Sequence, residues 1–115
     1  MTDLAVDLFQ QTLALNPTCE KCLDALTRIF IASGCYDQAA GILERMVLLH
    51  PDNPNFFYSL ACAYARDNQK EKAVGALKKA VAKGFSDIKY IRTDKNLESI
   101  CDTDYVRGLT AGRGN

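Results

Sequence analysis

Residues 23–51 read LDALTRIFIASGCYDQAAGILERMVLLHP and residues 57–85 read FYSLACAYARDNQKEKAVGALKKAVAKGF, 34 positions apart. At that offset Leu23 pairs with Phe57, Leu26 with Leu60, Thr27 with Ala61 and Phe30 with Tyr64. Ala39 pairs with Ala73 and Leu43 with Leu77, and the frame reaches back to Ala5 and Phe9. Pro17 and Pro51 keep the same distance. Interlocking matches at one period mark a repeat protein. Within each period the apolar spacing is helical. Leu23, Leu26 and Phe30 form one stripe, and Ala39, Leu43 and Met46 a second. Phe57, Leu60 and Tyr64, then Ala73, Leu77 and Ala80, repeat both. Each period is therefore two amphipathic helices. Gly34 and Asn68 occupy one repeat position, in the turns Ser33–Asp37 and Arg66–Lys70, and both tolerate the left-handed backbone that ends a helix. The small residues at 27/61 and 39/73 mark where the two helices must approach closely.

This pattern resembles the tetratricopeptide repeat, a helix–turn–helix unit of the same length. Residues 20–51 carry Leu23, Leu26, Thr27, Phe30, Gly34, Tyr36, Ala39, Leu43, Met46 and Pro51 at the signature positions. Residues 54–85 carry Phe57, Leu60, Ala61, Tyr64, Ala73, Leu77 and Ala80, with Phe85 in place of the closing proline. Residues 3–17 match the second helix of a unit, through Ala5, Phe9, Thr12 and Pro17. The resemblance implies an all-α array of antiparallel helix–turn–helix repeats over 1–110: a half repeat (3–17), two whole repeats, a helical cap over 86–109 and a flexible tail over 110–115. Thr2 is expected to cap the opening helix.

After Lys83-Gly84 the periodicity stops. Gly84 suits a helix end, Ser86 can cap the next helix, and Tyr90 and Ile91 give that helix an apolar side. Two short segments follow, near Lys95–Cys101 and Asp104–Leu109, with Leu97, Ile100, Tyr105, Val106 and Leu109 as anchors. The stretch resembles the closing segment of many bacterial tetratricopeptide proteins, which implies a cap that shields the last repeat.

The chain has 115 residues, 14 basic and 14 acidic, with 48% hydrophobic and 24% charged. Zero net charge argues against a nucleic-acid coat or a polybasic membrane binder. The balance hides an asymmetry: residues 1–57 hold seven acids and three bases, net −4, and residues 58–115 hold seven acids and eleven bases, net +4. No run approaches the ~20 apolar residues of a membrane span. The N-terminus lacks a secretory pattern, so a cytoplasmic location with five reduced cysteines is expected.

The sequence offers little chemistry. His50 is the one histidine and precedes Pro51, a helix-end position, so acyl-transfer triads have no support. Gly108–Gly112 lacks the lysine of a phosphate loop. Cys19-Glu20-Lys21-Cys22 is a C-x-x-C that can chelate zinc or form a redox disulfide, but the chain has no second ligand pair and no βαβ context. Cys35, Cys62 and Cys101 read as small packing residues. The expectation is no catalytic residue, no metal and no cofactor: the chain is not an enzyme.

What remains is binding. In the family it resembles, first helices line a concave groove that holds peptides. Here the groove face is expected to carry Lys21, Asp24, Arg28, Asn55, Tyr58, Cys62 and Arg66, with Lys89 and Arg92 from the cap. Its cations suit an acidic segment or a terminal carboxylate. Some members clamp such a carboxylate with lysine and asparagine; Asp24 and Cys62 stand at two of those positions, so that clamp is not reproduced. The implied function is a protein–protein interaction module, as adaptor, scaffold or assembly factor, with a protein or peptide partner and neither nucleic acid nor membrane. Its rivals are a self-associating subunit using the edge 3–15 and a thiol or metal module at Cys19/Cys22.

Overall fold

A computed structural model describes residues 2–16 and 18–111; Met1, Pro17 and residues 112–115, the last being most of the expected tail, lie outside it. The fold is all-α, as the periodicity requires. The helices are α1 (Thr2–Leu15), α2 (Glu20–Ala32), α3 (Tyr36–Leu49), α4 (Pro54–Arg66), α5 (Lys70–Ala82), α6 (Ile88–Thr93), a 3-10 helix (Lys95–Ile100) and α7 (Asp104–Ala111). Each of α1 to α4 packs on the helix that follows it, giving an elongated body of 49 × 26 × 19 Å.

The helix ends follow from a few residues. Gly34 and Asn68 have φ of +76° and +61°. That reversal lets the Cys35 N–H reach the Phe30 carbonyl (2.8 Å) and the Gln69 N–H reach the Tyr64 carbonyl (2.9 Å). Otherwise unpaired carbonyls of the last turn are satisfied in this way. Gly84 (φ +113°) repeats the device, with Phe85 N–H bonded to Ala80 (2.9 Å). Three residues in the left-handed region thus close α2, α4 and α5. Helix α3 ends differently, at His50 before Pro51, and α4 begins with Pro54 behind the cap Asn53, whose side chain accepts from the Asn55 N–H.

The stripes meet in the core. Leu23, Leu26, Leu77, Ala39, Ala61 and Ala73 are fully buried, and Phe30, Leu43, Met46, Leu60 and Ala80 nearly or wholly so. Each buried leucine contributes about 1.5–3 kcal/mol. Thr27, also buried, returns its hydroxyl to the Leu23 carbonyl (2.9 Å), so it adds no unsatisfied polar group.

The closing segment differs from its sequence reading in detail. The N-cap of α6 is Asp87, which accepts from the Tyr90 N–H, and Ser86 stands before it. A carboxylate in that place also favours the positive helix end. The apolar side of α6 is Ile88 and Ile91, while Tyr90 is half exposed. Leu97, Ile100 and Val106 are fully buried, with Tyr105 and Leu109 packed beside them. Thr2 is the first helical residue of α1, inside the helix and not before it, and α7 runs on through Thr110 and Ala111.

Candidate functional site

The residues expected to line the groove fall into four settings. On α2, Lys21, Asp24 and Arg28 are exposed, and Arg28 Nε lies 3.2 Å from Asp24 Oδ2. The cation and the acid offset each other, and an exposed pair of this kind is worth little. On α4, Asn55 is exposed and Arg66 donates to the Tyr36 hydroxyl (2.8 Å), with its guanidinium 4.9 Å from that ring's centre. On α6, Lys89 and Arg92 are exposed.

The fourth setting is the centre of α4, and there the chain's own C-terminal segment arrives. The Tyr58 hydroxyl donates to Asp94 Oδ2 at 2.5 Å, and the Cys62 thiol donates to the same oxygen at 3.8 Å. Asp94 Oδ1 accepts from the Asn96 N–H (3.0 Å), starting the 3-10 helix. Asp94 is 7% exposed, so this carboxylate is held by α4 and by its own backbone. Ser99 adds a bond to the Ala65 carbonyl (2.9 Å). Tyr58 also stacks on Phe85, centroids 4.3 Å apart. The inner face of α4 is therefore occupied from within the chain. Burial first, then the Asp94 carboxylate, pushes the Cys62 thiol up to about 12 and Tyr58 above the usual tyrosine range. Both stay protonated donors at neutral pH.

A different surface stays open at the other end. Leu4, Leu8, Leu15, Leu48 and Leu49 are exposed, Leu15 by 90% and Leu48 by 81%. All five belong to α1 or to the last turn of α3. Between these helices runs an open groove of about 640 Å³, lined by Gln10, Leu13, Ala14, Ile42, Arg45 and Leu48 among others. The exposure of Leu15 and Leu48 is the signal that sequence reading missed: both sit beside the stripes that set the helix faces.

His50 is the backbone C-cap of α3, and its ring nitrogen pairs with Glu20 and lies beside Phe56. Cys19 and Cys22 are joined by a disulfide, which corrects the expectation of five reduced cysteines; Cys35, Cys62 and Cys101 are free. The two cysteines lie only one helical turn apart, so closing the bond needs no movement of the fold. Among the described residues no three His, Cys, Asp or Glu side chains converge as a metal site would need. No helix among them is long and apolar enough to cross a membrane.

The tetratricopeptide repeat family matches residues 22–55, covering α2 and α3. Those residues, one helix pair of the array, are similar to a tetratricopeptide repeat unit. The chain is similar to a chloroplastic protein of Arabidopsis thaliana, with 40% identity over 74 residues. That match takes in 62% of this repeat chain, which spans only 22% of the relative's length. No solved structure matches the chain. Repeats of this kind generally mediate protein–protein interaction.

Proposed function

We propose that this chain is an adaptor or assembly module, without catalysis, that docks a partner protein on its N-terminal end. The observation that carries the reading is the open α1/α3 groove itself, where Leu48 and Leu49 are exposed beside Ala14 and Ile42. Contiguous exposed apolar surface is what an interaction site offers. The groove runs between two helices, so an apolar helix face is the natural occupant, with anchors one turn apart. Arg45 at its rim favours a partner helix bearing an acid. An acidic peptide on the concave face has weaker support, because Asp24 neutralises Arg28 and the cap fills the centre of α4.

Affinity capture with the purified chain tests this. Ala14→Glu with Leu48→Glu, both on the groove wall, is expected to abolish recovery of the partner, while Arg28→Glu leaves it intact. The opposite pattern moves the site to the concave face. Light scattering separates the rival: a concentration-dependent mass that disappears in Leu8→Glu or in the groove double variant makes the partner a second copy.

A further inference from the structure

Beyond docking, the first turn of α2 holds a chemistry that the repeat does not require. We propose that Cys19 and Cys22 form a two-electron thiol–disulfide exchange site, opened by a dithiol that attacks the sulfur of Cys19. The disulfide spans the N-cap of α2 and its first turn. The two sulfurs differ in access. Cys19 is half-buried at the helix mouth, whereas Cys22 is 6% exposed and packed in the core. An incoming thiolate therefore meets Cys19 first, and Cys22 is the leaving group.

The helix prepares Cys19 for that role. Its sulfur accepts the Cys22 N–H at 3.3 Å, at the positive end of a 13-residue helix. That position stabilises a thiolate. Of the charged groups nearby, Glu20 is taken up by His50, and Lys21 adds a cation next in sequence. The last turn of α1, residues 12–15, and Asn16 behind it carry no charge. Of the other thiols, Cys35 is the N-cap of α3 but its sulfur accepts no cap hydrogen bond and has no cysteine one turn on, Cys62 bonds the Asp94 carboxylate, and burial with flanking acids raises Cys101.

The step balances. A dithiol thiolate bonds to Cys19 Sγ as the Cys19–Cys22 bond breaks, its electron pair going to Cys22 Sγ, which takes a proton. The second thiolate of the dithiol then attacks its partner sulfur in the mixed disulfide, leaving Cys19 as a thiolate and the dithiol as a cyclic disulfide. Two electrons pass to the protein, and the remaining proton goes to water. An oxidising disulfide reverses each step.

The test uses the whole wild-type chain, so no variant needs to fold. After air or glutathione-disulfide treatment, alkylation under denaturing conditions is expected to label three cysteines before reduction and all five after. Five labelled before reduction would overturn the site. A native titration against reduced and oxidised dithiothreitol is expected to open and close the pair along a two-electron curve with unchanged circular dichroism. A bond that yields only after denaturation overturns the exchange role. On the reduced chain, limiting iodoacetamide at pH 7 is expected to label Cys19 about 100-fold faster than Cys62, with a midpoint below the ~8.5 of a free thiol. Equal rates, or Cys22 ahead of Cys19, overturn the assigned direction of attack.

Discussion

The two ends of this array solve one problem in opposite ways. A stack of repeats leaves an unpaired apolar face wherever stacking stops. At the C-terminal end, α6, the 3-10 helix and α7 leave the repeat pattern and bury Ile91, Leu97, Ile100 and Val106 completely. Asp94 and Ser99 tie that segment to α4 by hydrogen bonds. At the N-terminal end, α1 packs on α2 through residues such as Leu13 while Leu4 and Leu8 stay more than half exposed. The difference teaches that closure is a matter of chemistry: a cap needs its own anchors and its own polar ties. Without them, Leu4 and Leu8 of α1 stay exposed.

The sharpest way to break this contrast is to hollow out the closed end. Leu97→Ala is expected to cost about 2–5 kcal/mol in urea unfolding, because Leu97 is fully buried and its removal leaves a cavity. A loss below ~1 kcal/mol would mean that the segment merely drapes over α4. Overpacking between the repeat helices comes next. Ala39→Leu and Ala73→Leu are expected to cost about 1–3 kcal/mol each, since both alanines have no exposed surface. Melting temperatures equal to the parent's would show that those helix crossings have room.

High pH should loosen the closed end in particular. Cys62 is pushed from an ordinary 9.0 to about 12, and Tyr58 lies above the usual tyrosine range. Both folded values are raised, so their contribution is complete below pH ~9. It falls as pH climbs from there towards 12, because the unfolded chain releases those protons first. Thermal melts followed by circular dichroism are expected to show a lower Tm at pH 11 than at pH 8. Tyr58→Phe should shrink that difference, and an undiminished difference would assign the loss elsewhere. The smallest effect belongs to the open end. Leu8→Gln is expected to change stability by no more than about 0.5 kcal/mol, since the side chain is 56% exposed. A larger loss would show that α1 leans on that face.

The array itself was legible because helical periodicity and the 34-residue offset reinforce each other at many positions. Even the conformation of Asn68 could be read from its alignment with Gly34. The cap's anchors were legible too, as isolated apolar residues between turn signals. What Tyr58 and Cys62 touch was not. Their partner Asp94 is 36 and 32 residues away in a segment that has no repeat to align with. An acid in a cap reads as a surface charge until the fold buries it. The disulfide stood only as a rival reading for another reason. Inferred surroundings outweighed local geometry, although two cysteines in one helical turn can meet without distorting anything.

The tie at Asp94 also counts repeats. Shift its contacts back by one period, and Tyr58 and Cys62 become Asp24 and Arg28. A carboxylate brought to that face of α2 would meet the Asp24–Arg28 ion pair where it now meets a phenol and a thiol. The segment that bonds through Ser99 to the Ala65 carbonyl would find the bulkier Ile31 in place of that alanine. The cap is thus keyed to a single helix, and the modularity of the fold stops there. Excising or duplicating a unit would conserve the stacking surfaces yet conserve closure only if the final first helix carried the α4 side chains.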